Sequence, residues 1–201
     1  MRESVVIQIW VATALFAALH SLLAAEAVKR FVQQRFRCSA QRYRLAYVIV
    51  ALGSAAVWLG FVHSLPDRPL YAIDGVARLL LHGVQGLGVL LFVWAARSID
   101  LGVFLGLRPP PPEGEGFAAH GAYRCCRHPM YAGALLVLFA QPVQTENHLQ
   151  LSLAVALYLL LGARLEERRM LRAHPDYRAY RMQTPFLWPR WSCLQRAWRR
   201  G

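Results

Sequence analysis

Three runs of almost unbroken apolar residues, at 5–23, 46–62 and 79–96, dominate the first half of the chain. Each is close to the ~20 residues that a helix needs to cross ~30 Å of hydrocarbon. Two shorter runs follow at 131–143 and 149–161, separated by Gln144-Thr145-Glu146-Asn147-His148. A polar stretch of that length suits a turn between antiparallel helices, so the pattern predicts a fourth and a fifth span forming a helical hairpin. Both helices are expected to run on past the membrane on one side, from Pro129, a favoured first-turn residue, and out to Arg172. A soluble helix bundle would show polar faces, and these runs show almost none. The predicted fold is all-α: a polytopic membrane protein of about five transmembrane helices, one integral membrane domain over 1–201. The first three spans fall in 1–100, a half rich in polar motifs in 101–189, and a basic tail in 190–201.

Charge orients the spans. The chain has 23 Lys and Arg against 11 Asp and Glu, and Lys29 is its one lysine. If the N-terminus lies outside, every positive residue except Arg2, Arg68 and Arg78 falls in an inner segment. That is the distribution of an inner-membrane protein, because Lys and Arg accumulate on the cytoplasmic side. Ala25-Glu26-Ala27 resembles a signal cleavage site, but removing the first span would put the arginine-rich first loop on the wrong side. The first span is therefore expected to stay, with the N-terminus outside and the C-terminus cytoplasmic.

Hydrophobic residues make up 56% of the sequence and charged residues 17%, which excludes a disordered chain, a collagen-like repeat and a soluble disulfide scaffold. The basic residues line one membrane face and face anionic lipid headgroups. Trp188, Trp191 and Trp198, set among Arg190, Arg196, Arg199 and Arg200, fit an interfacial anchor. No nucleic-acid module is visible, so no nucleic-acid partner is expected. Cys38, Cys125, Cys126 and Cys193 follow neither zinc spacing nor a secreted disulfide framework. The simplest expectation is reduced thiols, no metal, and packing roles for the vicinal pair Cys125-Cys126.

The chemistry concentrates in two segments. One is His120-Gly121-Ala122-Tyr123-Arg124-Cys125-Cys126-Arg127-His128-Pro129-Met130-Tyr131, entering the fourth span; the other is Arg164-Leu165-Glu166-Glu167-Arg168-Arg169, leaving the fifth. His128 lies 18 residues before Glu146 and Glu166 lies 20 after it, so a rise of ~1.5 Å per residue puts both ~27 to ~30 Å from the hairpin tip. Cations and carboxylates then converge at the inner membrane boundary. A zwitterionic adenosine cofactor needs a cation or helix N-terminus for its carboxylate, acceptors for its ribose hydroxyls and an aromatic or apolar wall for its base. Arg127 and His128, Glu166 and Glu167, and Tyr131 supply that set. The same residues also allow a purely structural ion pair between Arg127 and Glu166 or Glu167.

These motifs, followed by His174-Pro175-Asp176-Tyr177-Arg178-Ala179-Tyr180, Thr184-Pro185 and Trp188-Pro189, resemble in order the isoprenylcysteine carboxyl methyltransferases and their relatives. That wider group includes phospholipid N-methyltransferases, NnrU-like proteins and bacterial methanethiol S-methyltransferases. The resemblance covers about 101–189, which it makes the cofactor-binding half. The N-terminal Leu19-His20-Ser21-Leu22-Leu23, Val28-Lys29-Arg30-Phe31 and Tyr43-Arg44-Leu45-Ala46-Tyr47 look like the methanethiol and NnrU-like branch. What the resemblance implies is S-adenosyl-L-methionine as methyl donor and a cytosolic-face site in a bacterial inner membrane. Its cofactor contacts would be Tyr123, Arg127, His128, Tyr131, Glu166 and Glu167, with His128 or Glu167 as catalytic base. It points to a small thiol or lipophilic acceptor, with an isoprenylcysteine-type carboxyl O-methyltransferase, a phospholipid N-methyltransferase or a non-catalytic NnrU-like accessory or transport protein as alternatives.

Three further features carry expectations. His20, His82 and Gln85 lie within spans, where polar groups turn inward to a pocket or to an interhelical hydrogen bond. Pro109–Pro112 and the Glu113-Gly114-Glu115-Gly116 that follows read as a stiff linker edging a lid. Asp176 reads as the N-cap of a short helix bearing Tyr177 and Tyr180.

Overall fold

A computed structural model describes residues 2–109, 121–190 and 193. Among the described residues eight helices and two short strands follow one another: α1 (Arg2–Ala24), α2 (Glu26–Phe36), α3 (Ala40–Ser64), β1 (Pro69–Ala72), α4 (Gly75–Ala96), α5 (Leu101–Phe104), α6 (Pro129–Phe139), β2 (Val143–Thr145), α7 (Glu146–Ala173) and α8 (Tyr177–Gln183), with a 310 turn at Gly121–Arg124 before α6. Helices α1, α3, α4 and α7 are long and apolar enough to cross a membrane. Their exteriors keep large apolar side chains such as Leu15, Leu52, Val57, Leu79 and Leu90 exposed. In water such a surface would aggregate. The chain is an integral, polytopic, α-helical membrane protein.

The expected fourth span is α6, an 11-residue helix about 17 Å long, roughly half the hydrocarbon thickness. Its early end has a local cause. The Gln141 side chain donates to the Val137 carbonyl at 2.8 Å, and Pro142 lacks the amide that would continue the helix. In place of the turn expected at 144–148, strand β2 ends at Thr145 and α7 begins at the next residue, Glu146. Strand β2 pairs with β1, with Ile73 N donating to Pro142 O at 2.8 Å and Glu146 N to Arg68 O at 2.9 Å. The pairing is antiparallel, because the partner numbers fall as the first numbers rise. Thr145 Oγ1 then accepts from His148 N at 3.1 Å in the first turn of α7. At 28 residues, α7 runs well past its apolar stretch to Ala173, as the sequence predicts.

The chain divides into two compact units. The first takes Met1–Leu70, Asp100–Glu115 and Gln144–Val155. Its core is Ile9, Val62 and Leu151, flanked by Val5, Trp58, Leu65 and Val155. Phe16 stacks on Trp58 at 4.7 Å, and Trp58 Nε1 donates to Thr13 Oγ1 at 3.2 Å. Ser39 caps α3 by accepting from Arg42 N. His20, a candidate pocket residue, meets Tyr47 Oη through Nε2 at 2.5 Å, which is the interhelical hydrogen bond among its two expectations.

The second unit takes Tyr71–Ile99, Gly116–Val143 and Ala156–Gly201. Helices α4 and α6 touch backbone to backbone there. A Cβ at Gly133 would stand 2.5 Å from the Gly88 carbonyl, and one at Gly88 would stand 2.7 Å from the Gly133 carbonyl. Only small residues permit so close a crossing. His82 Nδ1 and Gln85 Oε1 meet along α4 at 2.9 Å, and Gln85 Nε2 donates to Val137 O at 3.4 Å.

Candidate functional site

The second unit assembles the site from three pieces of chain: the turn into α6, the polar end of α7, and α8 with the segment after it. Helix α6 starts at Pro129, with the ring in the first turn as expected. The two residues before it pair with the segment that follows α8: Arg127 N donates to Pro185 O at 2.9 Å and His128 N to Phe186 O at 3.2 Å. Proline at 185 and proline at 189 hold that segment extended, so its carbonyls face the turn.

Arg127 is the post around which the pieces meet. Its Nε donates to Glu167 Oε1 at 2.5 Å, and its Nη1 donates to the carbonyls of Arg181 at 2.8 Å and Thr184 at 2.5 Å. The guanidinium ties one carboxylate of α7 to the C-terminal carbonyls of α8, where a cation is also favoured by the helix dipole. The Arg127 side chain is 11% exposed and that of Glu167 6%. Glu167 spends both oxygens within the protein: Oε1 on Arg127 and on His128 Nε2 at 3.3 Å, and Oε2 on Arg181 Nε at 3.3 Å. The structural ion pair anticipated from sequence therefore forms, and its acid is Glu167.

Glu166 stands apart. Its side chain is 56% exposed, and Oε2 lies 3.4 Å from Tyr131 Oη, a hydrogen bond the tyrosine donates, and 3.9 Å from His128 Nδ1. His128 is thus gripped at Nε2 by a buried carboxylate and turns Nδ1 toward an open one. Its ring is stacked on Tyr131 at 5.4 Å and meets the edge of Phe186 at 5.0 Å. Burial pushes the imidazole below its ordinary pKa, against the opposing pull of Glu166 and Glu167; the ring is neutral at pH 7 and Nδ1 or Nε2 carries a lone pair. With Nε2–H donating to Glu167, the lone pair sits on Nδ1.

Tyrosines brace the site. Tyr180 Oη donates to the Tyr123 carbonyl at 2.7 Å, fastening α8 to the 310 turn. Burial pushes the Tyr123 and Tyr177 hydroxyls up to about 12, helped at Tyr123 by the charge of Glu166 and at Tyr177 by Glu167 and Glu166 against the opposing Arg127 and Arg181. Both stay protonated near neutrality, where they can donate a hydrogen bond but offer no phenolate base.

All six residues named for the cofactor, Tyr123, Arg127, His128, Tyr131, Glu166 and Glu167, lie in this one unit and within a few contacts of each other. Sequence reasoning did not single out Arg181, Thr184 or Phe186. The one signal for them was the Thr184-Pro185 punctuation, which fixes an extended segment without saying where it docks. Asp176 does occupy the N-cap position of α8, but its side chain makes no cap hydrogen bond. Cys125 is disulfide-bonded to Cys193, 68 residues away, which corrects the expectation of unpaired thiols; vicinal cysteines give no spacing from which that partner could be read. Cys126 stays a free, buried thiol, pushed up to about 12 by desolvation, and packs as expected. Among the described residues no cluster is suited to a metal. The lid edge at 110–116, His120, and the tail residues Trp191, Trp198, Arg196, Arg199 and Arg200 lie outside the described residues.

Fold and site together define a polytopic membrane protein with a buried Arg-His-Glu cluster at the start of α6 and the polar end of α7. The chain is 33% identical over 185 residues to methanethiol S-methyltransferase 2 of Bradyrhizobium diazoefficiens, covering 88% of this chain and 70% of that protein. It is 29% identical over 182 residues to the methanethiol S-methyltransferase of Mycobacterium tuberculosis, covering 87% and 74%. A shorter match, 36% over 84 residues, links it to the enzyme of that name in Pseudomonas deceptionensis, covering 41% and 32%. The chain belongs to the methanethiol S-methyltransferase family. Within the wider group suggested by its motifs, this is the branch the N-terminal residues pointed to, rather than the isoprenylcysteine or phospholipid branches. No protein-family model matches the sequence and no solved structure matches significantly.

Proposed function

We propose that the chain transfers a methyl group from S-adenosylmethionine to a small thiol such as methanethiol, at the cytosolic boundary of a bacterial inner membrane. The observation that carries the reading is the division of labour between the two glutamates in a member of this family. Glu167 is consumed by Arg127, Arg181 and His128, while Glu166 presents an open carboxylate beside Tyr131 and His128.

The residues fit an adenosine sulfonium. Glu166 offers acceptors for ribose hydroxyls, Tyr131 an aromatic wall, and the first turn of α6 a positive helix end for a carboxylate. When bound, S-adenosylmethionine supplies a methyl group on a positively charged sulfur that leaves as a neutral thioether. Arg127 acts through position: it fixes the α7 acid and the α8 end, so His128 and Tyr131 keep their geometry. Glu167 orients the His128 ring by accepting from Nε2–H, which makes it a positioning residue in this reading. His128 Nδ1 takes the proton of the thiol as its sulfur bonds to the methyl carbon. Alignment of the acceptor contributes several kcal/mol of the rate without acid-base help.

The remaining parts of the reading concern the membrane. We take the N-terminus as external, α6 as a half-length fourth crossing that forms a hairpin with α7, the fifth, and 1–201 as one functional domain; the Lys and Arg distribution supports this orientation. A reporter after Gly201 is expected on the cytoplasmic side and one near Glu146 outside. The functional test is production of a methyl thioether by detergent-purified protein given S-adenosylmethionine and methanethiol. Transfer to prenylcysteine carboxylate or phosphatidylethanolamine in place of the thiol would reject the acceptor and keep the reaction class.

A further inference from the structure

A concavity opens beside the Arg127–Glu167 pair. It is a cavity of about 370 Å³ lined by Arg127, Arg164, Glu167, Arg168, Leu171, Arg181 and Phe186; His128, Tyr131 and Glu166 do not line it. Four guanidinium groups meet one carboxylate there, and Arg127 already neutralises that carboxylate. Among the described residues, Arg164 and Arg168 form no ion pair. Arg181 reaches Glu167 through Nε and is half exposed.

Along α7 the cavity borders a lipid-facing row. Leu157, Leu161 and Leu165 are each about half exposed and recur every four residues. Arg164 follows Leu161 by three residues and Arg168 follows Leu165 by three, so the arginine row and the leucine row are neighbours on the helix surface. The rows therefore place unpaired cations where the apolar part of α7 ends, beside a stripe for an acyl chain. We infer that this cavity binds the phosphate of an anionic phospholipid, with Arg164 and Arg168 holding the headgroup and one acyl chain lying along Leu165, Leu161 and Leu157. A soluble phosphate would share the arginines but not the leucine row. Arginine suits the role through its planar fork of donors. The cavity shares Arg127, Glu167, Arg181 and Phe186 with the site described above, but the two arginines that hold the headgroup and the leucine row lie outside that site, so the inference does not depend on the methyl-transfer reading.

The test uses the full chain in phosphatidylcholine nanodiscs doped with phosphatidylglycerol, with bound lipid counted by native mass spectrometry after release into detergent. Wild type is expected to retain phosphatidylglycerol selectively. Arg164→Gln with Arg168→Gln should lower that affinity roughly 30-fold, since each headgroup-facing cation contributes about a fivefold factor. The double change to lysine should recover most of it, which shows that charge and not misfolding is at issue. Arg42→Gln with Arg97→Gln, neither of which lines the cavity, should leave retention unchanged. Equal retention of phosphatidylcholine, or of phosphatidylglycerol by wild type and the glutamine variant, overturns the proposal. Protection against heating by millimolar inorganic phosphate without lipid retention assigns the cavity to a soluble anion and overturns the lipid assignment. So does loss of S-adenosylmethionine binding in the glutamine variant, which would give these arginines to the carboxylate of the methyl donor.

Discussion

Replacing Arg127 by alanine removes the residue on which the three pieces of the site converge. The change deletes one buried ion pair and two hydrogen bonds to the carbonyls of Arg181 and Thr184. Glu167, 6% exposed, is left with Arg181 at 3.3 Å and a neutral imidazole. Removing one partner of a buried pair costs about 3–5 kcal/mol, most of it the penalty of the charge left behind. The cost falls on docking of α8 and the segment after it, because Arg127 holds carbonyls of both. The local reporter is the His128 amide, which donates to Phe186 across that junction. At about 1.4 kcal/mol per factor of ten, its hydrogen exchange should speed up about 100-fold or more, while amides in the middle of α3 keep their rates. An unchanged His128 amide would refute the reasoning, since it would mean that α8 docks without the arginine. Glu166→Gln is the control. Its carboxylate is mostly exposed, and exchange at His128 should not move.

Other consequences can be checked separately. Glu166→Gln should shrink the rise in melting temperature caused by S-adenosylmethionine, with membrane insertion and yield intact; a full ligand shift in that variant contradicts the role given to the open carboxylate. His128 is held below its ordinary pKa by burial, so the folded state binds fewer protons than the unfolded chain at mildly acidic pH. The contribution of the neutral ring to stability is complete above the unfolded value of about 6.5 and is lost as pH falls from there toward the depressed folded value; His128→Asn should flatten that part of the stability profile. Gly133→Val places a branched side chain against the Gly88 carbonyl and the backbone of Phe92, and overpacking at such a crossing costs roughly 1–3 kcal/mol. Its thermal unfolding in detergent should occur at a lower temperature, whereas Gly60→Val, which meets nothing within 4 Å, should behave as wild type.

Much of this architecture was legible because membrane spans announce themselves by length and hydropathy. The first three runs correspond to α1, α3 and α4, and the extension of α7 past its apolar part follows from the arginines and glutamates that begin at Arg164. The convergence of His128 with the two glutamates followed from counting residues along two helices, even though α6 is shorter than expected and 144–148 is not a turn. The eleven residues of α6 supply about 17 Å of that height, and the extended stretch before Glu146, rising faster per residue than a helix, makes up the rest. The distinction between Glu166 and Glu167 was not legible. Adjacent helical residues point about 100° apart, and which one meets Arg127 depends on the rotation of α7, which its hydrophobic pattern leaves loose. Arg181 and the Cys125–Cys193 bond were hidden for a related reason, since both depend on how the segment after α8 folds back onto the turn at 127–128.

The central claim is that a family member with this site methylates a thiol using His128 as the proton acceptor. The direct measurement is the rate of dimethyl sulfide formation from methanethiol and S-adenosylmethionine by purified protein across pH 5 to 9, compared with His128→Ala. The account predicts a wild-type rate that rises with pH as thiolate accumulates, and a large fall in turnover for the variant, least severe at the alkaline end where the thiol ionises without help. Full wild-type turnover by His128→Ala at pH 6, or no thioether from wild type at any pH with cofactor bound, would contradict it.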